Sequence, residues 1–315
     1  MKPSPLVVIA IGGNSLITDS RHMSVLDQYR AAGETCRHIA GLVQEGYRIV
    51  VTHGNGPQVG FILLRSELAK TVLHQVPLES CVADTQGAIG YQVEQTLLNE
   101  LRRRGIAKQV VSVVTQSLVS ADDPAFKNPS KPIGPFYTQE EALQHKETEG
   151  WSVREDSGRG WRRVVSSPKP LEIIEESVIE LLLKQDVVVI AVGGGGIPVI
   201  RNAAGDLEGC AAVIDKDLAS CLLAKNLKAD IFIVSTGVDK VAINFGKPNQ
   251  QFIDHMTLAQ TLKYLDEGHF APGSMRPKIE AAVDFLKNGG KKVIITQPHL
   301  LEDAIHERNG THIVP

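Results

Sequence analysis

Short runs of valine and isoleucine, each closed by glycine or a polar turn, recur along the chain with longer amphipathic stretches between them. Residues 6–11, 48–52, 109–114, 187–192, 231–234 and 292–296 predict strands. Most are continuous apolar runs rather than polar–apolar alternations, the pattern of strands covered on both faces. Residues 25–45, 83–104, 170–184, 217–225 and 278–287 predict the intervening helices. In the first of these Tyr29, Cys36, Ile39 and Leu42 recur at roughly helical spacing, with charge on the other face. Strands alternating with helices predict an α/β fold, with a mainly parallel sheet covered by helices on both sides.

One segment breaks this rhythm. Residues 121–164 are rich in proline, glycine and charge, and an irregular stretch of that length inside a compact fold predicts a functional lid or small subdomain. A solvated linker is the poorer reading, because Phe136, Tyr137, Trp151 and Trp161 would then be left in water.

The 315 residues can bury a large core, near the size at which one core divides into two lobes. A formal net charge of −3 gives no electrostatic case for binding nucleic acid or an anionic membrane, both of which call for a basic face. Any phosphate must be met by a few placed cations and backbone amides. The four cysteines, Cys36, Cys81, Cys210 and Cys221, are scattered without metal-ligand spacing, as expected of thiols in a reducing compartment. Lys2 ahead of the run 6–11 faintly resembles a signal peptide, but the run is too short and gives way to Gly12 and Gly13. A buried first strand in a cytoplasmic protein is the expectation.

Glycine-rich turns follow three of the strands, at 12–15, 54–58 and 193–196. In a parallel sheet the strand ends and the next helix N-termini form the ligand crevice. Glycine there lets successive N–H groups approach one anion, and the helix dipole adds to the attraction. Three such turns on one sheet point to an anion-handling crevice. Neither the P-loop pattern nor the dinucleotide fingerprint is present, so a nucleotide enzyme would bring its cations from separate places.

Three lysines are candidates: Lys131 in the proline-rich segment, Lys216 where an apolar run ends, and Lys278 after Gly273 and Pro277. Phosphoryl transfer is catalysed mainly by positioning and neutralising charge, which mobile ammonium groups suit. A cation at a helix N-terminus opposes the dipole, so Lys216 and Lys278 make most sense opposite an anion. Asp217 has two readings, a first-turn acid favourable in itself or an organiser of the lysines. Asp215 reads as an N-cap. His53, without a nucleophile spaced for it, reads as a packed core histidine, and His269 is treated with the same caution.

Several stretches, in order along nearly the whole chain, resemble the signatures of carbamate kinases. They are Val-Ile-Ala-Ile-Gly-Gly-Asn at 8–14, Thr-His-Gly-Asn-Gly-Pro-Gln-Val-Gly at 52–60, Asn-Pro-Ser-Lys-Pro-Ile-Gly at 128–134 and Glu-Asp-Ser-Gly-Arg-Gly-Trp-Arg at 155–162, with 193–198, 213–217, 235–241 and 269–278. The resemblance implies the amino acid kinase fold: a three-layer α-β-α sandwich in two lobes with a small protruding lid. It implies reversible in-line transfer between ATP and carbamate, or ADP and carbamoyl phosphate, with Mg2+ carried by the nucleotide and no protein metal site. In such enzymes the direction is often ATP formation during arginine, agmatine or purine breakdown. It further implies a homodimer acting on small molecules. Residues 1–214, including the lid, would hold carbamate or carbamoyl phosphate, and 215–315 the nucleotide.

Carried over by motif, Gly12, Gly13, Asn14, Gly54, Asn55 and Gly56 would line the acceptor and the transferred phosphoryl. Lys131 would reach in from the lid, Lys216 and Lys278 would flank the phosphates, and Asp217 would organise them. Ser235, Thr236, Gly237, Val238, Asp239, Phe245 and Met275 would contribute to the nucleotide pocket. Ser15 and Ser157 stand where the family commonly has alanine, and neither removes a charge the transfer needs. Two other readings stay open. One is a kinase of this fold with a small carboxylate acceptor, for which Arg159, Arg162 and Arg163 are available; the other is a non-catalytic sensor of carbamoyl phosphate or nucleotide.

Overall fold

The first apolar run forms the strand Leu6–Ile11, buried along its whole length. In the computed structural model, which describes residues 4–12, 24–156, 158–271 and 274–315, it lies parallel to Arg48–His53 on one side and Ile231–Ser235 on the other. Among the described residues eight strands join this sheet, in the order His255–Thr257, Thr311–Val314, Lys292–Thr296, Ile231–Ser235, Leu6–Ile11, Arg48–His53, Val188–Ile190 and Val110–Ser112. Only the pairing of Lys292–Thr296 with Thr311–Val314 is antiparallel. The central strands serve two cores at once. Val8, Ala10, Val50, Phe232, Val234 and Ile295 face one apolar cluster, and Val7, Ile9, Ile49, Val51, Ile233 and Ile294 face the other. A strand whose two faces are both dry has no polar positions to alternate, which explains its uniform sequence.

Helices cover both faces. Val25–Gln44 and Leu78–Arg103 bring Cys36, Ile39, Leu42, Ile89, Val93 and Leu97 to one cluster. Lys216–Asn226 and Met275–Lys287 bring Ala219, Leu223, Ile279 and Phe285 to the other. The result is the expected three-layer α/β sandwich with a mainly parallel sheet. Among the described residues no helix is long and apolar enough to cross a membrane.

Local expectations fared less evenly. The predicted helix at 170–184 is in fact the strand Pro170–Ile173 followed by the helix Glu176–Lys184. Its apolar residues fit either period over so short a run. The helix expected from 278 begins earlier, at Met275, and holds Pro277 in its first turn, where a missing N–H leaves no bond unmade. Among the described residues four α-helices were not anticipated: Gln58–Leu68, Gln139–Glu149, Leu258–Asp266 and the short Leu301–Ile305. Gln139–Glu149 buries Ala142 alone, so it carries almost no apolar stripe to read. Its capping box, Thr138 with Glu141, was the available signal.

The described residues of the segment 121–164 form a small subdomain. Lys131–Tyr137, Val153–Glu155 and Trp161–Val165 form an antiparallel three-stranded sheet beside the helix Gln139–Glu149. Trp151 stacks on His145 with ring centroids 4.2 Å apart, and Arg163 lies over the Trp151 ring at 4.5 Å. The subdomain seats on the helix Gln58–Leu68 through two glycines. A Cβ on Gly60 would fall 2.0 Å from the Gly134 nitrogen, and Gly134 itself has φ +71°.

This contact sets an expectation for Gly60→Ala. Alanine would gain roughly 1 kcal/mol in helix propensity, but the overlap is with backbone that cannot rotate away, and overpacking typically costs 1–3 kcal/mol. We expect urea unfolding to show a net loss of about 1–2 kcal/mol. A variant as stable as the parent would mean that the subdomain is not seated on this helix.

Candidate active site

Val213 and Ile214 are buried, and the chain then turns into the helix Lys216–Asn226. Asp215 caps it with an extended backbone, its Oδ1 accepting from the N–H groups of Asp217 at 2.9 Å and Leu218 at 3.4 Å. That cap makes Lys216 and Asp217 the first two residues of the helix. The helix Met275–Lys287 packs alongside, with the Cys221 thiol donating to the Ala281 carbonyl at 3.1 Å. The adjacent N-terminal turns bring Lys278 next to Lys216.

Both lysines meet on one carboxylate. Lys216 Nζ donates to Asp217 Oδ1 at 2.5 Å and Lys278 Nζ to Oδ2 at 2.8 Å, with the Asp217 side chain 3% exposed. Lys131 reaches the same turn and donates to Asp215 Oδ2 at 2.7 Å. Three ammonium groups and two carboxylates therefore share this corner, leaving positive charge in excess. Both readings of Asp217 describe its position: it sits in the first turn, and it ties the two lysines together. The N-cap reading of Asp215 holds but was incomplete, because its second oxygen holds Lys131.

Burial alone would push the Asp217 carboxyl up, but Lys216 and Lys278 outweigh it and hold the group well below the usual carboxylate range. Burial pulls the Lys216 ammonium down, with Asp217 opposing and Lys278 adding to the fall. For Lys278 burial also acts downward, but Asp217 prevails and the net direction is up. Burial pushes Asp215 up as well, yet Lys131 leaves it below its ordinary value. His53 is buried and pulled down to about 4, mainly by burial, so it is neutral at pH 7. Its Nδ1 lies 2.9 Å from the Gly54 carbonyl, as expected of a packed histidine.

The glycine turns divide into two kinds. A Cβ on Gly12 would meet the Ser235 carbonyl at 2.9 Å, and one on Gly54 would meet Lys216 Cδ at 3.2 Å, so Gly54 brings backbone close to the lysine corner and Gly12 brings it close to the end of the strand Ile231–Ser235. Gly56 is open, and its bond to Pro57 is cis. Gly13, Asn14, Ser15 and Ser157 lie outside the described residues. The turn 193–196, in contrast, is a tightly packed buried wedge. Side chains on Gly193, Gly194, Gly195 and Gly196 would collide with His53, Asn55, Ile214 and Ser117. The N–H groups of Gly195 and Gly196 are spent on the carbonyls of Val192 and Gly193. Asn55 is drawn into this wedge, its amide donating to Thr85 Oγ1 at 3.2 Å.

Gln86, which sequence reasoning missed, brackets the wedge. Its Nε2 donates to the carbonyls of Thr115 and Gly193 at 2.9 Å each, and its Oε1 accepts from the Thr115 N–H at 2.7 Å. Nothing in its spacing marks it. On the far side of Gly12, Ser235 and Thr296 end neighbouring strands, and both hydroxyls are buried without a hydrogen-bond partner in the protein. Thr236 donates its N–H to the Thr296 carbonyl at 2.8 Å. Val238 is half-buried, Gly237 and Asp239 are exposed, and Phe245 stands 70% exposed after the strand Val241–Ile243. Met275, partly buried on the apolar core, opens the helix that carries Lys278.

The family model for the amino acid kinase family matches residues 5–297. The chain is 50% identical over 313 residues to the carbamate kinase-like protein YahI of Escherichia coli, covering 98% of each. It is 45% identical over 311 residues to the carbamate kinase of Thermococcus kodakarensis, again covering 98% of each. The structure of Giardia lamblia carbamate kinase bound to AMP-PNP superposes with a TM-score of 0.91 at 41% identity, covering 100% of this chain and 99% of that one. This chain belongs to the amino acid kinase family, among the carbamate kinases.

Within this carbamate kinase frame Arg159, Arg162 and Arg163 have partners of their own. Arg162 pairs with Asp156 at 3.2 Å and Arg163 with Glu67 at 2.7 Å. Arg159 also pairs with Asp156, and both Arg159 and Arg162 lie over the Phe136 ring. This arrangement gives no support to a larger carboxylate acceptor.

The depressed Asp217 carboxyl has a consequence for stability. Its ordinary value is 3.8, and the folded value lies below that. Its ionised form therefore stabilises the fold above pH 4, and that contribution is lost as pH falls toward the folded value. Removing one partner of a buried ion pair costs about 3–5 kcal/mol. We expect Asp217→Asn to lose about 3 kcal/mol at pH 7, with a smaller gap to the parent at pH 3. Equal losses by denaturant unfolding at the two pH values would rule out this electrostatic account.

Proposed function

We propose that this chain is an active carbamate kinase, transferring a phosphoryl group reversibly and in line between carbamoyl phosphate and ADP. The observation that carries the reading is the pair of lysines from two helix N-termini held on the two oxygens of Asp217. A phosphoryl group in transit spreads negative charge over several oxygens, and fixed cations stabilise that charge without reorganising. Asp217 cannot readily take up a proton, so it keeps both ammonium groups in place. Lys216 and Lys278 flank the transferred group, and Lys131 approaches from the lid.

In the direction of ATP formation, a terminal oxygen of the ADP β-phosphate attacks phosphorus. The bond between phosphorus and the carbamoyl oxygen breaks, and carbamate leaves as an anion. The attacking oxygen is already anionic, so no general base is required. A neutral, buried His53 is consistent with that chemistry. Gly12, Gly54 and Gly56, with Asn55, line the acceptor side. Ser235–Asp239 (235–239 in sequence), Phe245 and Met275 line the nucleotide side, where the orphaned Ser235 and Thr296 hydroxyls lie at the strand ends. The AMP-PNP complex of the Giardia relative supports nucleotide use.

Among the described residues no group of three or more His, Cys, Asp or Glu side chains is placed to hold a metal ion. Both oxygens of Asp217 are also taken by lysines. These residues fit a Mg2+ ion carried chiefly by the nucleotide phosphates, where it would offset phosphate charge. The reading extends to residues 1–214 as the carbamate side and 215–315 as the nucleotide side. It further extends to a cytoplasmic homodimer that makes ATP during arginine, agmatine or purine breakdown.

The test is ATP formation from ADP, Mg2+ and carbamoyl phosphate by the purified protein. Removing one fixed donor from a developing charge commonly costs 10²–10³ in turnover. Lys216→Ala and Lys278→Ala should each fall by about that factor while keeping the parent circular dichroism. A folded parent that makes no ATP would overturn the reaction, and either variant near parental turnover would overturn that lysine's role.

A further inference from the structure

We infer that Asp215 is a positioning residue that holds the lid lysine, Lys131, in reserve until a phosphate-bearing ligand takes it over. Its two oxygens have separate tasks. Oδ1 caps the helix Lys216–Asn226 through the Asp217 N–H, and Oδ2 accepts from Lys131 Nζ at 2.7 Å. The cap anchors the carboxylate whether or not the lysine is present, so the lysine can leave and return to a fixed place.

The backbone holds both partners at the root of the lid. Lys131 pairs with Val165 in the lid sheet, and the next residue, Ser166, accepts at its carbonyl from the Val213 N–H at 3.0 Å. Val213 lies two residues before Asp215. Lysine and carboxylate are therefore kept within reach without any movement of the subdomain as a whole. Exchange of partner needs only a change in the lysine's own torsions.

Exposure separates this pair from its neighbour. The side chains of Lys131 and Asp215 are 30% and 20% exposed, whereas Asp217, which holds the other two lysines, is 3% exposed. Water reaches the first pair, and partly screened pairs are weak enough for a multiply charged phosphate to displace the carboxylate. The pair on Asp217 is shut away from that competition. Lys131 is thus the exchangeable cation of the cluster and Asp215 its resting partner. The inference rests on the carbamate kinase reading for its kinetic consequence and on geometry alone for its structural one.

Asp215→Asn separates the two tasks. Asparagine caps a helix as well as aspartate does, and retains an acceptor oxygen, but lacks the charge that holds the lysine. With carbamoyl phosphate as the varied substrate, kcat/KM should rise about threefold, the rise being carried by KM, because the lysine no longer has to leave a competing anion. An unchanged or higher KM would overturn the inference. The second arm is amide hydrogen exchange on the ligand-free protein. Amides at 131, 133 and 163–165 should exchange about threefold faster in both Asp215→Asn and Lys131→Gln, which break the pair from opposite ends. Protection in the helix Lys216–Asn226 should persist in both. Unchanged exchange at the lid root, or lost protection confined to the helix, would reduce Asp215 to a cap. If the parent protein makes no ATP, the carbamate kinase reading fails by itself, and the exchange arm still decides whether Asp215 holds the lid lysine.

Discussion

One buried carboxylate governs the corner where two helices begin. Asp217 accepts a lysine on each oxygen, and neither ammonium group could sit at a helix N-terminus without it. A cation there opposes the helix dipole and, once removed from water, pays a desolvation cost as well. The remaining architecture can be understood as meeting that requirement. Parallel strands end together, so their helices start together. The two helices pack closely enough for Cys221 to touch the Ala281 carbonyl. Gly12 and Gly54 let the strand ends crowd against Ser235 and Lys216.

The glycines show how similar sequence features acquire different physical roles. Three turns after strands look alike in sequence, yet Gly12 packs on Ser235 and Gly54 on Lys216, while the third is wedged among several elements at once. The third is packed from several sides by His53, Asn55, Ile214 and Ser117, and the N–H groups of Gly195 and Gly196 bond back to Val192 and Gly193. It contributes rigidity by filling the space between the sheet and the helix Leu78–Arg103. Gln86 ties it from that helix to Thr115, donating to the Gly193 carbonyl and making two hydrogen bonds with the Thr115 backbone. Glycine at such a place reflects what must not be there, namely a Cβ.

The sheet was legible because its signal is local. Leu6–Ile11 and Lys292–Thr296 are uniformly apolar over their whole length and fall where the pattern places them. The lysines were legible for a related reason, since each follows a recognisable strand or turn, and the family signatures reinforced them. Other features depend on contacts distant in sequence. Residues 170–184 changed from one helix to strand and helix because Pro170–Ile173 pairs with Gln116–Val119, a partnership no local period encodes. Lys131 and Asp215 are 84 positions apart, so their ion pair could not be seen in either neighbourhood. The helix Gln139–Glu149 has so little apolar surface that its cap was the one local mark of it, and it went unanticipated.

The stitching of the lid at its base bears on how far its parts can travel. In any body turning about a pivot, displacement grows with distance from the axis. Lys131, Val165 and Ser166 lie beside the backbone bond to Val213, whereas Phe136, Arg159 and the helix Gln139–Glu149 extend outward from it. A swing large enough to admit a small molecule beneath the outer parts would scarcely translate the lysine backbone at the base. In such a swing the cation's backbone would be the part that moves least.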